Sequence, residues 1–159
     1  MEIERRWLVD GWPPLTPLSV LEMEQGYFAV RPAIRIRRER VVGGSTAYIL
    51  CFKGKGGLAR EEIELELTQD HYDRLNAMLG KPMIRKEQRR YPLPGGLTLE
   101  VNSVDPGLDT AFFYAEVEFP SEDAARSWVP SGELAPYLAR EVTDQPGESM
   151  AAYWTRTRG

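Results

Sequence analysis

The first nine residues, MEIERRWLV (residues 1–9), alternate charged and apolar side chains with the two-residue period of a β-strand. On such a strand Glu2, Glu4 and Arg6 project to one face, opposite Trp7. Two glutamates that stand two residues apart on one face repel each other unless a cation neutralises them. The charged face of this strand is therefore a candidate binding surface.

The composition limits the classes of function. The chain has 159 residues, and we interpret residues 1–159 as a single domain that is long enough to bury a core. A net charge of −4 argues against a nucleic-acid partner, and no segment has the length and hydropathy of a membrane span. The single cysteine, Cys51, excludes an internal disulfide and a cysteine-based zinc cluster, so we expect a cytoplasmic protein.

Two common kinds of active site lack support in the sequence. The only histidine, His71, lies in a helical pattern that we expect Thr68 to cap, and we expect His71 at the surface. Gly54, Gly56 and Ala59 match a loose dinucleotide-binding pattern, but a strand-like segment follows them where that motif requires a helix. The chemistry of this protein must therefore depend on carboxylates, arginines and lysines.

Strand-like alternation dominates the rest of the chain. The predicted strands span residues 2–9, 26–41, 46–54, 58–67, 83–92, 97–104 and 111–119. The predicted helices span residues 16–24, 69–79, 121–128 and 147–156, the last of them starting near Pro146. The second strand is expected to be interrupted at Arg31–Pro32, because proline cannot donate to a strand ladder. Many antiparallel strands with few helices favour a barrel or a strongly curved sheet.

Several of these strands carry charges of one sign on one face. The basic faces hold Arg35 and Arg37, and in part Lys86 and Arg90; the acidic faces hold Glu62 and Glu64, Glu116 and Glu118, and Glu100. Each strand alone is compatible with an ordinary polar face in water. A solvated sheet usually mixes the two signs, so single-signed faces favour convergence on ligands of opposite charge.

The two sets of charges suit different ligands. Carboxylates suit a hard divalent cation such as Mg²⁺ or Mn²⁺, whereas arginine and lysine suit phosphate. A closed barrel can hold both sets, because alternate residues of every strand point inward. A metal and a polyanion in one cavity indicate phosphoryl-transfer chemistry.

The chain also resembles a known family. The opening EIERRWLV is similar to the ExExK signature of CYTH-domain proteins, also called triphosphate tunnel metalloenzymes, and the bacterial inorganic triphosphatase branch is the most similar in wording. The similarity continues in family order through QGYF (25–28), IRIRRE (34–39), FKGKGGLAREEIE (52–64), RKEQRRY (85–91), LTLEVN (97–102), AEVEF (115–119) and REVT (140–143). It implies an α+β, mainly β fold: an eight-stranded, antiparallel, closed β-barrel that forms a tunnel with a charged interior, flanked by a few helices.

The resemblance also implies a function and a set of site residues. The implied activity is the metal-dependent hydrolysis of triphosphate-containing substrates, above all inorganic tripolyphosphate, with Mg²⁺ or Mn²⁺ as cofactor. The implied metal ligands are Glu2, Glu4, Glu62, Glu64, Glu116 and Glu118. The implied substrate-binding residues are Arg35, Arg37, Lys53, Arg60, Lys86 and Arg90, and the implied catalytic residues are Glu2, Glu4, Arg6 and Lys86. Glu100 would support the basic cluster or a second metal.

Three positions depart from the family pattern. Arg6, Gln88 and Asn102 stand where the family usually has lysine, arginine and an acidic residue. These departures leave open an alternative function, a catalytically weak module that binds polyphosphate or nucleotide in the same fold. Adenylate cyclisation, which occurs in one branch, is a third interpretation, although nothing in the sequence indicates an adenine pocket. We expect a monomer or a homodimer, with no nucleic-acid or membrane partner.

Overall fold

The structure, a computed structural model, describes all 159 residues and consists mainly of antiparallel strands. The strands are β1 (Glu2–Val9), β2 (Ser19–Val30), β3 (Ala33–Val41), β4 (Thr46–Lys53), β5 (Ala59–Arg60), β6 (Glu62–Glu66), β7 (Ile84–Pro92), β8 (Thr98–Val104), β9 (Phe112–Glu118) and β10 (Arg140–Glu141). The helices are α1 (Gln69–Leu79), α2 (Glu122–Ser127), α3 (Leu134–Tyr137) and α4 (Met150–Arg158). Short 3₁₀ turns lie at Pro94–Gly96 and Pro146–Glu148.

The strands form one sheet that curves into a nearly closed barrel. Their order is β10-β1-β9-β8-β7-β2-β3-β4-β6, and β5 pairs with β1 to close the ring. The prediction of an antiparallel β-barrel with few helices is confirmed, but the predicted count of eight strands is wrong, because the sheet has ten. The segment predicted as one strand over 58–67 breaks at Glu61 into β5, which pairs with β1, and β6, which pairs with β4. In addition, the two residues of β10 pair with Trp7 and Leu8.

The closing seam of the barrel is narrow. Only Glu2 and Ile3 of β1 pair with β5, opposite Arg60 and Ala59. The Glu4 amide extends this seam by donating a hydrogen bond to the Leu58 carbonyl at 3.1 Å. The other walls of the barrel are paired over five to nine residues on each strand.

The main hydrophobic core lies outside the barrel wall. Residues of β1, β7, β8 and β9 that face outward pack beneath α2 and the segment that leads to α3; they include Trp7, Tyr91, Leu99, Val101, Ala115 and Val117. These residues alternate along each strand with polar or charged side chains. On these four strands the period-two pattern therefore places most apolar side chains on the outer face and most polar ones on the inner face.

A second apolar cluster closes one end of the barrel. Met150, Tyr153 and Trp154 of α4 pack against residues at the ends of β2, β7, β8 and β9. A side chain at Gly26 would overlap those of neighbouring residues, and the ring of Trp154 lies 3.3 Å from where a Cβ atom would be. Helix α4 thus covers this end of the barrel and fixes one boundary of its cavity.

Most of the predicted elements are observed close to their expected bounds. The strands predicted at 2–9, 46–54, 83–92, 97–104 and 111–119 and the helices at 69–79 and 121–128 are confirmed to within about two residues. Thr68 caps α1, as predicted, by accepting a hydrogen bond from the His71 amide at 3.1 Å. None of the four helices is long and apolar enough to cross a membrane.

Three predicted elements differ from the structure. The helix predicted at 16–24 is wrong: this segment begins β2, because Leu21 and Met23 alternate with Glu22 and enter a sheet, which overrides their helical propensity. The strand predicted at 26–41 divides into β2 and β3 at the expected Arg31–Pro32 interruption. Finally, α4 begins at Met150 after a Ser149 cap, and Pro146 starts a 3₁₀ turn instead.

Candidate phosphate and metal site in the barrel interior

The inner face of the barrel carries nearly every charged residue that the sequence singled out. Strand pairing places on this face Glu2, Glu4, Arg6, Arg35, Arg37, Lys53, Arg60, Glu62, Glu64, Lys86, Arg90, Glu100, Glu116 and Glu118. Residues from all parts of the chain thus share one interior. Their individual environments differ, and these differences decide what each can do.

The closing seam of the barrel brings together residues for which the sequence predicted opposite roles. The Lys53 ammonium lies 3.2 Å from Glu2 Oε1 and 3.2 Å from Glu62 Oε2. Arg60 Nε lies 3.0 Å from the same Glu2 oxygen. These two cations and two carboxylates neutralise one another in a buried or half-buried setting. A polyanion that entered here would replace the carboxylates as partner of the two basic residues. A metal cation that accompanied it would replace the basic residues as partner of the carboxylates.

Arg6 and two glutamates form a second cluster. Arg6 donates to Glu116 Oε2 from Nε at 3.1 Å and from Nη2 at 2.9 Å, and to the Glu148 carbonyl from Nη1 at 2.7 Å. Burial by itself opposes the charged form of Glu116, but the Arg6 guanidinium holds the pKa of that carboxyl well below its usual value. Burial and then the charges of Glu116 and Glu2 raise the pKa of Glu4 well above its usual value. Glu4 and Glu116 therefore form a close carboxylate pair.

Arg35 and Lys86 are the buried cations of the interior that lack an acidic partner. Arg35 donates to the Tyr27 hydroxyl at 3.4 Å, and its Nε atom has no hydrogen-bond partner. Lys86 donates to the Tyr114 hydroxyl at 2.9 Å. Burial, together with the charges of Arg35 and Arg37, lowers the pKa of Lys86 well below its usual value. This part of the interior carries uncompensated positive charge, which a bound anion would neutralise.

Arg37 and Arg90, both predicted to bind substrate, are already paired with carboxylates. Arg37 lies 2.6 Å from Glu39, although its Nε atom has no partner. Arg90 lies 3.2 Å from Glu100 Oε2 and donates to Gln88 Oε1 at 2.8 Å. Burial, together with the charge of Glu116, raises the pKa of Glu100 to about 6.

Two of the three departures from the family pattern face each other. Gln88 and Asn102 are cross-strand neighbours on β7 and β8. Gln88 Nε2 donates to Asn102 Oδ1 at 2.9 Å, while Asn102 Nδ2 has no partner. An arginine and an acidic residue at these positions would carry opposite charges, so the amide pair leaves the net charge of the interior unchanged.

Glu64 and Glu118 occupy the more open part of the interior. Glu64 lies on β6 opposite Cys51, and Glu118 lies at the end of β9 opposite Glu4. Both residues are exposed. Of the six predicted metal ligands, they are therefore the two most accessible to solvent.

The donor set suits a hard divalent cation. No group of three or more His, Cys, Asp or Glu side chains already surrounds one point as metal ligands. However, burial and then the charge of Glu116 raise the pKa of Glu4, and a divalent cation relieves repulsion between carboxylates. Carboxylate oxygens are the ligands that Mg²⁺ and Mn²⁺ prefer.

A cavity of 1330 Å³ opens beside α4 and leads into this interior. Its inner wall includes Arg6, Arg35, Lys53 and Arg60. Its rim is formed by the turn 54–57 and by the segment that precedes α4. The cavity connects the positively charged part of the interior with solvent.

Sequence reasoning missed three polar residues of the interior, Gln25, Tyr27 and Tyr114. Gln25 and Arg35 both donate to the Tyr27 hydroxyl, and Lys86 donates to that of Tyr114. The period-two pattern could have identified the two tyrosines, because Tyr27 and Tyr114 each lie two residues from another inward-facing residue of the same strand. A tyrosine in a strand usually indicates packing, so the two tyrosines were not predicted to face a ligand.

Known proteins are similar to this chain over most of its length. An inorganic triphosphatase from Nitrosomonas europaea is 30% identical over 146 residues, which cover 90% of this chain and 89% of the relative. A crystal structure of an inorganic triphosphatase has a TM-score of 0.63 and 25% identity, covering 96% of this chain and 93% of that one. A protein from Pyrococcus horikoshii shares the fold, with a TM-score of 0.59 and 21% identity over 79% of this chain and 82% of that one.

No family model matches the chain. The identity to the Nitrosomonas europaea protein nevertheless extends over nearly the whole of both sequences. With its charged barrel interior, this chain belongs to the same family as that inorganic triphosphatase.

Proposed function

We propose that this protein hydrolyses inorganic tripolyphosphate inside the barrel, with Mg²⁺ or Mn²⁺ as cofactor. The observation that carries the proposal is the pair of buried cations, Arg35 and Lys86, that have no acidic partner. An uncompensated buried charge is costly, so this part of the interior attracts an anion strongly. The name of the Nitrosomonas europaea relative supports a triphosphate as that anion.

Each basic residue of the interior has its own role in binding the phosphate chain. The planar Arg35 guanidinium offers parallel donors to phosphoryl oxygens, and Lys86 adds a compact charge. Lys53 and Arg60 now contact Glu2, and they exchange this carboxylate for phosphoryl oxygens when substrate enters. Negative charge that develops on the phosphoryl groups during the reaction is neutralised by the same residues.

Glu2, Glu4, Glu116 and Glu118 are the carboxylates that would hold the divalent cation. When bound, the metal would neutralise phosphoryl charge and lower the pKa of water. Glu4 orders the attacking water and accepts its proton, a general-base role that a carboxylate can perform. The water oxygen forms a bond to the terminal phosphorus as the bridging P–O bond breaks, and pyrophosphate leaves with the electron pair of that bond.

Phosphate release from a panel of substrates tests this proposal. Tripolyphosphate, ATP and thiamine triphosphate are each incubated with the protein, with Mg²⁺, with Mn²⁺ or with a chelator. We expect the fastest release from tripolyphosphate and none with the chelator. The absence of release from every substrate, at protein concentrations well above trace, would exclude the hydrolase.

A second candidate function, binding without turnover, has one specific observation in its favour. Arg6, at the third position of the opening signature, is held by Glu116 and by the Glu148 carbonyl, so it can contact substrate only by giving up these partners. Calorimetric binding of tripolyphosphate without phosphate release would favour this function. Release that appears only in Arg6→Lys would assign the loss of turnover to this residue.

A further inference from the structure

Tyr114 lies at the centre of the basic part of the interior. It is on the inner face of β9, two residues before Glu116, and only 1% of it is exposed. Its hydroxyl accepts a hydrogen bond from Lys86 Nζ at 2.9 Å. The Arg6 guanidinium lies over its ring, 4.4 Å from the ring centroid. One neutral side chain thus contacts both buried Lys86 and half-buried Arg6.

The hydroxyl hydrogen of Tyr114 is available for donation. A charged lysine has three donors and no acceptor, so Lys86 can only donate to the phenol oxygen. An anion bound beside Lys86 favours this charged form. A phenol ordinarily keeps its proton at neutral pH. Tyr114 is therefore suited to donate a hydrogen bond and unsuited to act as a base.

Three hydrogen-bond donors lie on the inner face of different walls of the barrel. Arg35 on β3 is buried, and its Nε atom lacks a hydrogen-bond partner. Lys86 approaches from β7 and Tyr114 from β9. A phosphoryl group has several oxygens that accept hydrogen bonds, so it can satisfy such donors together.

We propose that the Tyr114 hydroxyl donates a hydrogen bond to a non-bridging phosphoryl oxygen of the triphosphate and holds Lys86 against the same phosphoryl group. This inference rests on the proposed function and adds an uncharged substrate-binding residue to it. A hydroxyl donates a directional hydrogen bond and adds no positive charge to the site. It can therefore fix the rotation of a phosphoryl group that Arg35 and Lys86 attract.

The variant Tyr114→Phe tests the inference, because it removes the hydroxyl and retains the ring beneath Arg6. Tyr72→Phe is the matched control: it removes another buried hydroxyl, which donates to Glu24 at 2.9 Å on the outer side of the barrel. We expect the KM for tripolyphosphate and its calorimetric Kd, measured with a chelator, to rise about tenfold in Tyr114→Phe. Both constants should stay within about twofold of wild type in Tyr72→Phe.

Two further measurements separate binding from a loss of fold. In the double variant Tyr114→Phe/Lys86→Met, we expect the KM to rise by less than the product of the two single effects, because both residues serve one phosphoryl group. In addition, 3-fluorotyrosine placed at position 114 retains the hydroxyl, and its ¹⁹F resonance should shift with tripolyphosphate but not with sodium chloride of equal ionic strength.

The possible outcomes distinguish this inference from the proposed function. Unchanged KM and Kd in Tyr114→Phe, with normal turnover of wild type, would overturn the role of Tyr114 alone. Independent, multiplicative effects of the two substitutions would overturn the shared phosphoryl group. A wild-type protein that neither binds nor hydrolyses tripolyphosphate would overturn the proposed function, and the role of Tyr114 with it.

Discussion

At the scale of single residues, the interior separates cations that are paired from cations that are not. Lys53, Arg60 and Arg6 contact carboxylates, so each is held by charges already present in the fold. Arg35 and Lys86 contact only tyrosine hydroxyls. Folding therefore places these two charges where they oppose stability and favour the binding of an anion.

This separation predicts opposite effects of Arg35→Met on stability and on binding. We expect the free energy of unfolding to be unchanged or to rise by about 1 kcal/mol, because a buried charge without a partner is removed. The KM for tripolyphosphate should rise at least about tenfold, because a charge-assisted contact to phosphate is lost. Urea denaturation and phosphate-release kinetics measure the two quantities.

Arg40→Met provides the control for this prediction. Arg40 lies on the outer face of β3, where it pairs with Glu22 at 2.8 Å. Its removal should leave the KM unchanged. If Arg35→Met instead lost stability and kept a normal KM, Arg35 would be a structural residue.

At the scale of secondary-structure elements, one aspartate outside α4, Asp105, anchors this helix to the barrel. Asp105 Oδ2 accepts hydrogen bonds from the Tyr153 hydroxyl at 2.6 Å and from Arg158 Nη1 at 2.7 Å. Asp105 Oδ1 accepts a third from the Arg85 amide at 3.0 Å. Burial by itself opposes the charged form, but these contacts, led by that of Arg158, hold the pKa of Asp105 below its usual value.

The lowered pKa predicts how pH affects the stability of this anchor. A carboxyl with a lower pKa in the folded state stabilises the protein above its unfolded-state pKa, and this stability is lost as the pH falls through the folded value. We expect Asp105→Asn to unfold more easily than wild type by about 3 kcal/mol at pH 7 and the difference to shrink below about pH 4. Asparagine tolerates the positive φ of 45° at this position, so the backbone is not the cause.

Urea denaturation at several pH values, followed by tryptophan fluorescence, measures this effect. Asp109→Asn, in the same turn but exposed, is the control and should behave as wild type. A difference between Asp105→Asn and wild type that stays constant down to pH 3 would contradict the assignment of the charge.

The same elements indicate how far sequence reasoning extends. Helix α1 was predicted with its bounds and its Thr68 cap, because these signals are local. Segment 19–24 was predicted to be part of a helix. It is a strand because pairing with β3 and β7, which lie farther along the chain, sets its conformation. The Asp105 anchor could not be predicted, because Tyr153 and Arg158 are 48 and 53 residues away.

At the scale of the whole molecule, the alternation of charges predicted a charged interior but not its pairing. Parity alone places Arg35 and Glu62 on the charged faces of their strands, and that much followed from the sequence. Which cation contacts which carboxylate depends on the register of strands that are distant in the chain. The contact between Gln88 and Asn102 depends on strand register in this way. In the sequence alone, the two residues resemble two unrelated losses of a charged side chain.

The inward-facing glutamates predict that divalent cations raise the thermal stability of the protein. We expect several millimolar MgCl₂ to raise the Tm by about 3 °C more than sodium chloride of equal ionic strength, because binding to the folded state alone stabilises it. Glu116→Gln should abolish this difference, and Glu133→Gln, at an exposed site near α3, should retain it. Thermal denaturation followed by circular dichroism measures the Tm, and an equal response to both salts would contradict a specific metal site.

The contact between Gln88 and Asn102 also has an evolutionary consequence. Changing one member to a charged residue introduces an uncompensated charge into a buried pair, whereas changing both restores neutrality. Single substitutions are therefore the less fit intermediates between an amide pair and an ion pair. Homologous sequences should carry one pair or the other and seldom a mixture, so the two positions should covary across the family.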